Sequence, residues 1–420
     1  MKIVLSKYKQ EQWYLGILFS FFLLGEQIRR GIYEPLSLNL VFVVCLMLIL
    51  FINRNNLYSK KLVVISIISI HATIINIVNG CSMNTVIRCF VVLYLPLYLF
   101  SINYENINID YRYLVYKCIK WFNRFIYLMF AIYLFDILTN GIIVKLLSSH
   151  LLYSVKNWVP KSFGFFSMRY PSFMGHYLYT GELYLIFFIL NSSYKIKTKE
   201  WVINPEIIYI VYIVGTLSTA SKTCTVLMLV MIIINNFWGR NKIIKATIAI
   251  GSIGVIYSLG AFNFIISRLE IGADITTGRT DAWNYLEQSG GLKPSIIGGY
   301  GFTLKSKWEI LLSSIIGNST TVSRQASIAL EYPIISNFFR FGILNNILLI
   351  GYMIYFPVRR FLKSKNTYLA ICSIILFVDI NTFNLLTEGM DAMTVYVWTI
   401  MIMSFIEKIR IQEKITTLYK

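Results

Sequence analysis

The sequence is short of charge. Asp, Glu, Lys and Arg make up only 14% of its 420 residues, against about 25% in an average soluble domain, which moves the chain out of the soluble globular class and into a membrane class. Acidic residues are scarcer than basic ones, 20 against 39, and there are three histidines. No Asp-x-Asp pair or His cluster is present, so neither a metal nor any other cofactor is expected. The six cysteines (Cys45, Cys81, Cys89, Cys118, Cys224, Cys372) are scattered and form no CxxC pair, which argues against a disulfide framework or a zinc site. The GxxxxGK[ST] spacing of a nucleotide-binding P-loop is missing. So is a small-residue cleavage site after the first apolar run, which is therefore read as a retained span. There is no repeat of fixed period, no inverted repeat and no soluble domain.

In place of charge the chain has apolar length. Hydrophobic residues make up 56%, and long apolar runs suited to crossing a bilayer of about 30 Å recur along it. Twelve candidate spans fall near 12–28, 36–52, 62–78, 86–101, 121–138, 174–191, 206–219, 223–238, 246–264, 337–357, 367–385 and 392–406. The expected fold is all-α: one polytopic helical bundle over residues 1–420, with a long outer loop at 265–336 that holds short helices between the ninth and tenth spans, and a second outer loop at 139–173.

The formal net charge of +19 does not point to nucleic acid, because the cations sit in short loops between spans rather than on one face. They read instead as topology signals and contacts to anionic lipid. With both termini in the cytoplasm, 24 of the 39 cations fall on inside segments, at least three on each, and six of the others lie in the one long loop. Frequent Ile, Asn and Lys suggest an AT-rich bacterial genome.

Chemistry-bearing residues collect on the outer side. Gly278-Arg279-Thr280-Asp281-Ala282-Trp283 reads as a turn opening a helix, which would set Arg279 beside free N–H groups suited to a phosphate; a surface helix whose Arg snorkels to lipid is the plain alternative. Pro294 through Gly298-Gly299-Tyr300-Gly301-Phe302 is a Gly-rich passage permitting positive φ and close backbone approach. Glu331 stands just outside a span and Arg340 within its first turns, a depth at which an ionisable residue is a functional candidate, although an interfacial pair that anchors the helix has the same look. His71 and His150 read as packed or solvated. Asp136, Glu182, Arg88 and Asp379, near or inside spans, can pair with one another or line a cavity.

The order Gly-Arg-Thr-Asp-x-Trp, then Pro-x-x-x-Gly-x-Gly-Phe, then an acidic residue before a Gly-Ile-Leu-type span, resembles the O-antigen polymerase and ligase superfamily. Two further stretches agree. Arg169-Tyr170-Pro171-Ser172-Phe173-Met174-Gly175-His176 is similar to that family's Arg-x-x-Ser-x-x-Gly-(His or Asn)-Pro segment, with Tyr177 in place of Pro. Thr219-Ala220-Ser221-Lys222 is similar to its Thr-x-Ser-Arg motif, with a lysine that keeps the charge but loses the bidentate fork. The resemblance covers about 160–343 and implies a membrane glycosyltransferase that polymerises undecaprenyl-pyrophosphate-linked oligosaccharide, without a metal, at the outer face of a bacterial cytoplasmic membrane. Ligases of the family carry His-Asn where this chain has Glu331-Tyr332, which favours a polymerase over ligase-type transfer; a flippase or other transporter is the third reading. By the same resemblance Arg169, Lys222, Arg279 and Arg340 would hold the pyrophosphate. Glu331 or His176 would be the general base, with membrane lipids and a chain-length regulator as further partners.

Overall fold

The computed structural model describes residues 7–23, 25–104, 109–150, 163–164, 169–237, 279–290, 293–331, 333–382 and 391–409. Among them the chain is helical, with no strand beyond an isolated bridge between Leu57 and Ile102. The helices are α1 (Lys7–Phe22), α2 (Glu26–Ile32), α3 (Leu40–Ile52), α4 (Ser59–Val78), α5 (Met83–Cys89), α6 (Tyr111–Leu138), α7 (Ile142–His150), α8 (Tyr177–Thr198), α9 (Pro205–Ser218), α10 (Lys222–Phe237), α11 (Arg279–Gln288), α12 (Leu304–Ser313), α13 (Ser319–Ala329), α14 (Pro333–Phe341), α15 (Ile343–Ile350), α16 (Phe356–Lys363), α17 (Thr367–Thr382) and α18 (Ala392–Lys408).

Three of the described helical segments are long and apolar enough to cross a membrane: Ser59–Val78, Met83–Ser101 and Tyr111–Leu138. The second is α5 continued by a π-turn (Phe90–Tyr94) and a 3-10 turn (Leu95–Ser101). The other expected spans differ in instructive ways. The first ends at Phe22, and Glu26–Ile32 is a separate short helix, so Glu26, Gln27, Arg29 and Arg30 stand beyond the span. The expected span at 246–264 lies outside the described residues. The expected span at 337–357 is broken: Gly342, at φ +84°, separates α14 from α15, and a π-turn (Gly351–Tyr355) leads from α15 into α16.

Helix starts follow local capping chemistry. Asn39, Asp110, Asn204 and Asn318 each accept from a backbone N–H in the first turn of the helix that follows, satisfying donors that the helix itself cannot.

α8 and α18 are buried on all sides and pack on each other, and the apolar helices surround them. Polar groups inside this centre are matched: the Asn123 and Asn191 amides exchange two hydrogen bonds, at 2.9 and 2.8 Å, and Ser192 meets the Tyr368 hydroxyl at 2.7 Å. At the periphery α4 turns Ile65, Ile68, Ala72 and Ile75 inward and Val63, Ile67, Ile70, Ile74 and Ile77 outward. An exposed apolar stripe about four turns long is anomalous in water and suited to lipid.

The bundle has two chemically distinct ends. At one, Tyr58 N–H donates to Ser101 O, Asn103 N–H to Asn56 O, Arg112 pairs with Glu200 at 2.9 Å, and Arg360 pairs with Glu407 at 3.2 Å. Lys61, which donates to Phe100 O at 3.3 Å, and Lys195, 5.3 Å from the centre of the Trp201 ring, stand there too. α4 and α6 run from this end to the other, where the candidate site residues stand, and α8 and α18 run back from it.

Candidate functional site

A buried carboxylate organises one side of that second end. Asp136, in the last turn of α6, has no exposed surface. Its Oδ1 accepts from Ile143 N–H at 2.7 Å, and its Oδ2 from Val144 N–H at 3.1 Å and from the Tyr170 hydroxyl at 2.7 Å. Asp136 therefore caps α7 and pins Tyr170 at once. Tyr170 N–H in turn donates to Ser218 O at 3.0 Å, which ties the segment 169–176 to the turn between α9 and α10. Both of these turns hold a non-glycine residue at positive φ, Ser172 at +54° and Ala220 at +45°. Such conformations cost on the order of 1–3 kcal/mol and cluster where function requires them.

This knot brings two of the sequence-predicted residues, Arg169 and His176, onto one ring, and sets the helix that begins at Lys222 beside it. Arg169 donates to the Tyr177 hydroxyl at 2.9 Å and lies 4.7 Å from the centre of its ring. His176, just ahead of the first turn of α8, stacks on the same ring, with centroids 4.9 Å apart. Tyr177 and Leu178 pack on Cys224, in the first turn of α10, the helix that Lys222 opens. Gly181 allows this approach, because a Cβ there would meet Cys224 Sγ at 2.5 Å.

A second group lies beside the first and was legible only in fragments. α2 packs against the turn Ser172–Met174, with Gly25 facing the Met174 sulfur and Phe173 against Phe22. On α2, Arg29 makes a bidentate pair with Asp391, just ahead of α18, at 2.9 and 3.1 Å. It also donates to Leu36 O at 3.0 Å and Ser20 O at 3.3 Å. Glu26 faces Arg30 at 3.4 Å and Arg88 of α5 at 3.6 Å. Tyr179, one turn into α8, stands within electrostatic reach of Asp391, Arg29 and Glu26, and Glu182, further along, within reach of Asp379 on α17. The available signal was three charged residues within five positions just past an apolar run; their partner 362 residues away leaves no local pattern.

Arg340 and the Gly-rich passage form the third part. Residues 295–302 cross the break between α14 and α15: Ile343 N–H donates to Ser295 O, Leu344 N–H to Ile296 O and Tyr300 N–H to Phe339 O, at 2.9–3.0 Å. The passage is also tied to the end of α4, where Asn79 donates to Gly299 O at 2.9 Å and Phe302 N–H donates to Asn76 Oδ1 at 3.0 Å. A Cβ on Gly299 would meet Arg340 O at 2.1 Å, and one on Gly342 would meet Gly298 O at 2.6 Å. These glycines thus serve backbone-to-backbone approach. They fix Arg340, 5% exposed, with its guanidinium 4.7 Å from the centre of the Phe302 ring and near Tyr94. Glu331 is partly exposed on the turn between α13 and α14. Arg279 is the first residue of α11, whose helix joins α12 and α13 in a small apolar cluster around Trp308; its side chain is outside what is described.

No family model, characterised protein or solved structure matches the chain.

Proposed function

We propose that the chain is a membrane glycosyltransferase that polymerises polyprenyl-pyrophosphate-linked oligosaccharide repeat units. The observation that carries this reading is the company Arg169 keeps. The family-like stretches 169–176 and 219–222 are tied to each other by the Tyr170–Ser218 hydrogen bond, at the bundle end away from the cation-rich loops. By the positive-inside bias that end faces outward.

In the reaction, the hydroxyl at the non-reducing end of the next unit attacks the anomeric carbon of the growing glycan. The bond from that carbon to the pyrophosphate oxygen breaks, the hydroxyl proton passes to a base, and the lipid pyrophosphate departs. Arg169, Lys222, Arg279 and Arg340 are the cations for the departing charge, and fixed cations in a partly dry site lower such a barrier by several kcal/mol. Glu331 and His176 are the two candidates for the base.

The test is direct. Purified chain in detergent, given lipid-pyrophosphate-linked repeat units and no nucleotide sugar, should yield a ladder of longer glycans. Arg169→Ala should reduce the rate by about a hundredfold or more, the usual effect of removing one group that stabilises developing negative charge. Full activity in both Arg169→Ala and Arg279→Ala would remove the clamp. Of Glu331→Gln and His176→Ala, the one that leaves the rate intact is not the base.

One observation favours a second reading, transport of lipid-linked oligosaccharide: Glu182 and Asp379 are ionisable residues buried within helices, as a substrate path requires. Absence of a ladder, with movement of the lipid-linked unit across proteoliposomes, would favour it.

A further inference from the structure

Two arginines in the second group differ in a way that assigns them different work. Arg29 is saturated: its guanidinium donates to both Asp391 oxygens and to two carbonyls. Arg88 is as deeply placed, 7% exposed, yet among the described residues its one ionic contact is Glu26 Oε1 at 3.6 Å, and its Nε and Nη2 make no hydrogen bond. Glu26 Oε1, shared with Arg30 at 3.4 Å, is also without a hydrogen bond, while Oε2 accepts from Gln27 at 2.6 Å. Separations of 3.4–3.6 Å are too long for charge-assisted bonds, which close to about 2.7–2.9 Å. A buried guanidinium left in this state is costly, by several kcal/mol per uncompensated ion. Arg30, with 21% of its side chain exposed, opens the group toward the surface. Arg88 closes it from behind, immediately before the π-turn Phe90–Tyr94, a distortion common at functional sites.

We propose that Arg88 and Arg30 form a binding site for a phosphoryl oxyanion, separate from the Arg169–Lys222 group, and that Glu26 is the internal carboxylate that such a ligand displaces. A guanidinium fork matches two phosphate oxygens in its plane, and a carboxylate held too far for good bonds is a weak competitor. The ligand chemistry has two sources, a soluble or lipid-linked diphosphate and a phospholipid headgroup.

The experiment uses the full chain in nanodiscs of zwitterionic lipid, titrated with inorganic pyrophosphate by calorimetry, in an Arg169→Ala/Lys222→Ala/Arg279→Ala/Arg340→Ala background that removes the cations assigned to the other site. Binding is expected. Arg88→Gln should weaken it by about tenfold or more, one charge-assisted bond's worth, and Glu26→Gln should tighten it severalfold by removing the competitor. Nanodiscs of phosphatidylglycerol without pyrophosphate supply the second arm: a rise in unfolding temperature that disappears in Arg88→Gln identifies the ligand as a headgroup. Should Arg88→Gln fail to fold, Glu26→Gln decides alone. The proposal is overturned if neither probe binds, or if pyrophosphate affinity is the same in wild-type and Glu26→Gln protein. Because binding is read without turnover, its failure is distinct from a missing glycan ladder.

Discussion

Asp391→Ala should destabilise the protein by about 3–5 kcal/mol, the usual consequence of stranding one partner of a buried ion pair. Arg29 would keep its carbonyl contacts to Ser20 and Leu36, but its charge would lose the carboxylate it is bonded to at a depth where little water reaches it. The change also unties the start of α18, a helix at the centre of the bundle, from the segment after α1. Asp391→Asn, which keeps the shape and removes the charge, should cost nearly as much. Arg29→Met combined with Asp391→Leu should recover most of the loss, since apolar side chains of similar volume often replace a buried pair without penalty. Thermal and denaturant unfolding in detergent measures all four proteins. A cost below about 1 kcal/mol for Asp391→Ala, the range of exposed pairs, would mean that the pair is solvated and carries no structural weight.

That pair marks where reading the sequence stops. Apolar length announced an all-helical chain, because it is a property of consecutive residues. The segment 169–176 and the turn at 219–222 were singled out separately, and the fold ties them together. The reason they meet, the chain Asp136–Tyr170–Ser218, was not legible: it needs a carboxylate at the end of one helix to serve two backbone donors and a phenol from elsewhere. The Gly-rich passage had a correct general meaning, close backbone approach. Which backbone it approaches, that of Arg340, is a matter of tertiary placement. The expected span at 337–357 went wrong for a local reason: apolar residues continue through Gly342, so hydropathy reads one helix where the backbone turns at φ +84°. Arg29 and Arg30 were visible only as the end of an apolar run, and nothing near them in sequence distinguishes the saturated one from the one shared through Glu26 with Arg88.

Asp136→Ala should have the broadest effect of any single change at this end of the bundle. It strands the buried Val144 N–H and Tyr170 hydroxyl and the half-buried Ile143 N–H, at about 1–3 kcal/mol for each unsatisfied buried group, so a total loss of roughly 3–5 kcal/mol is expected after partial relaxation. Tyr170→Phe isolates one strand of this knot: it removes a single hydrogen bond to a carboxylate, worth about 1.5–3 kcal/mol, and leaves the cap on α7 in place. The two variants separate stability from positioning. If the knot exists to hold Arg169 against Tyr177, Tyr170→Phe should stay folded at working temperature and still lose glycan-ladder activity well beyond its stability cost, and the loss should appear in kcat, since the cation's work is done on departing charge. Full activity in a folded Tyr170→Phe protein would reduce the knot to a helix cap. The unfolding arm of the comparison holds whatever the reaction turns out to be.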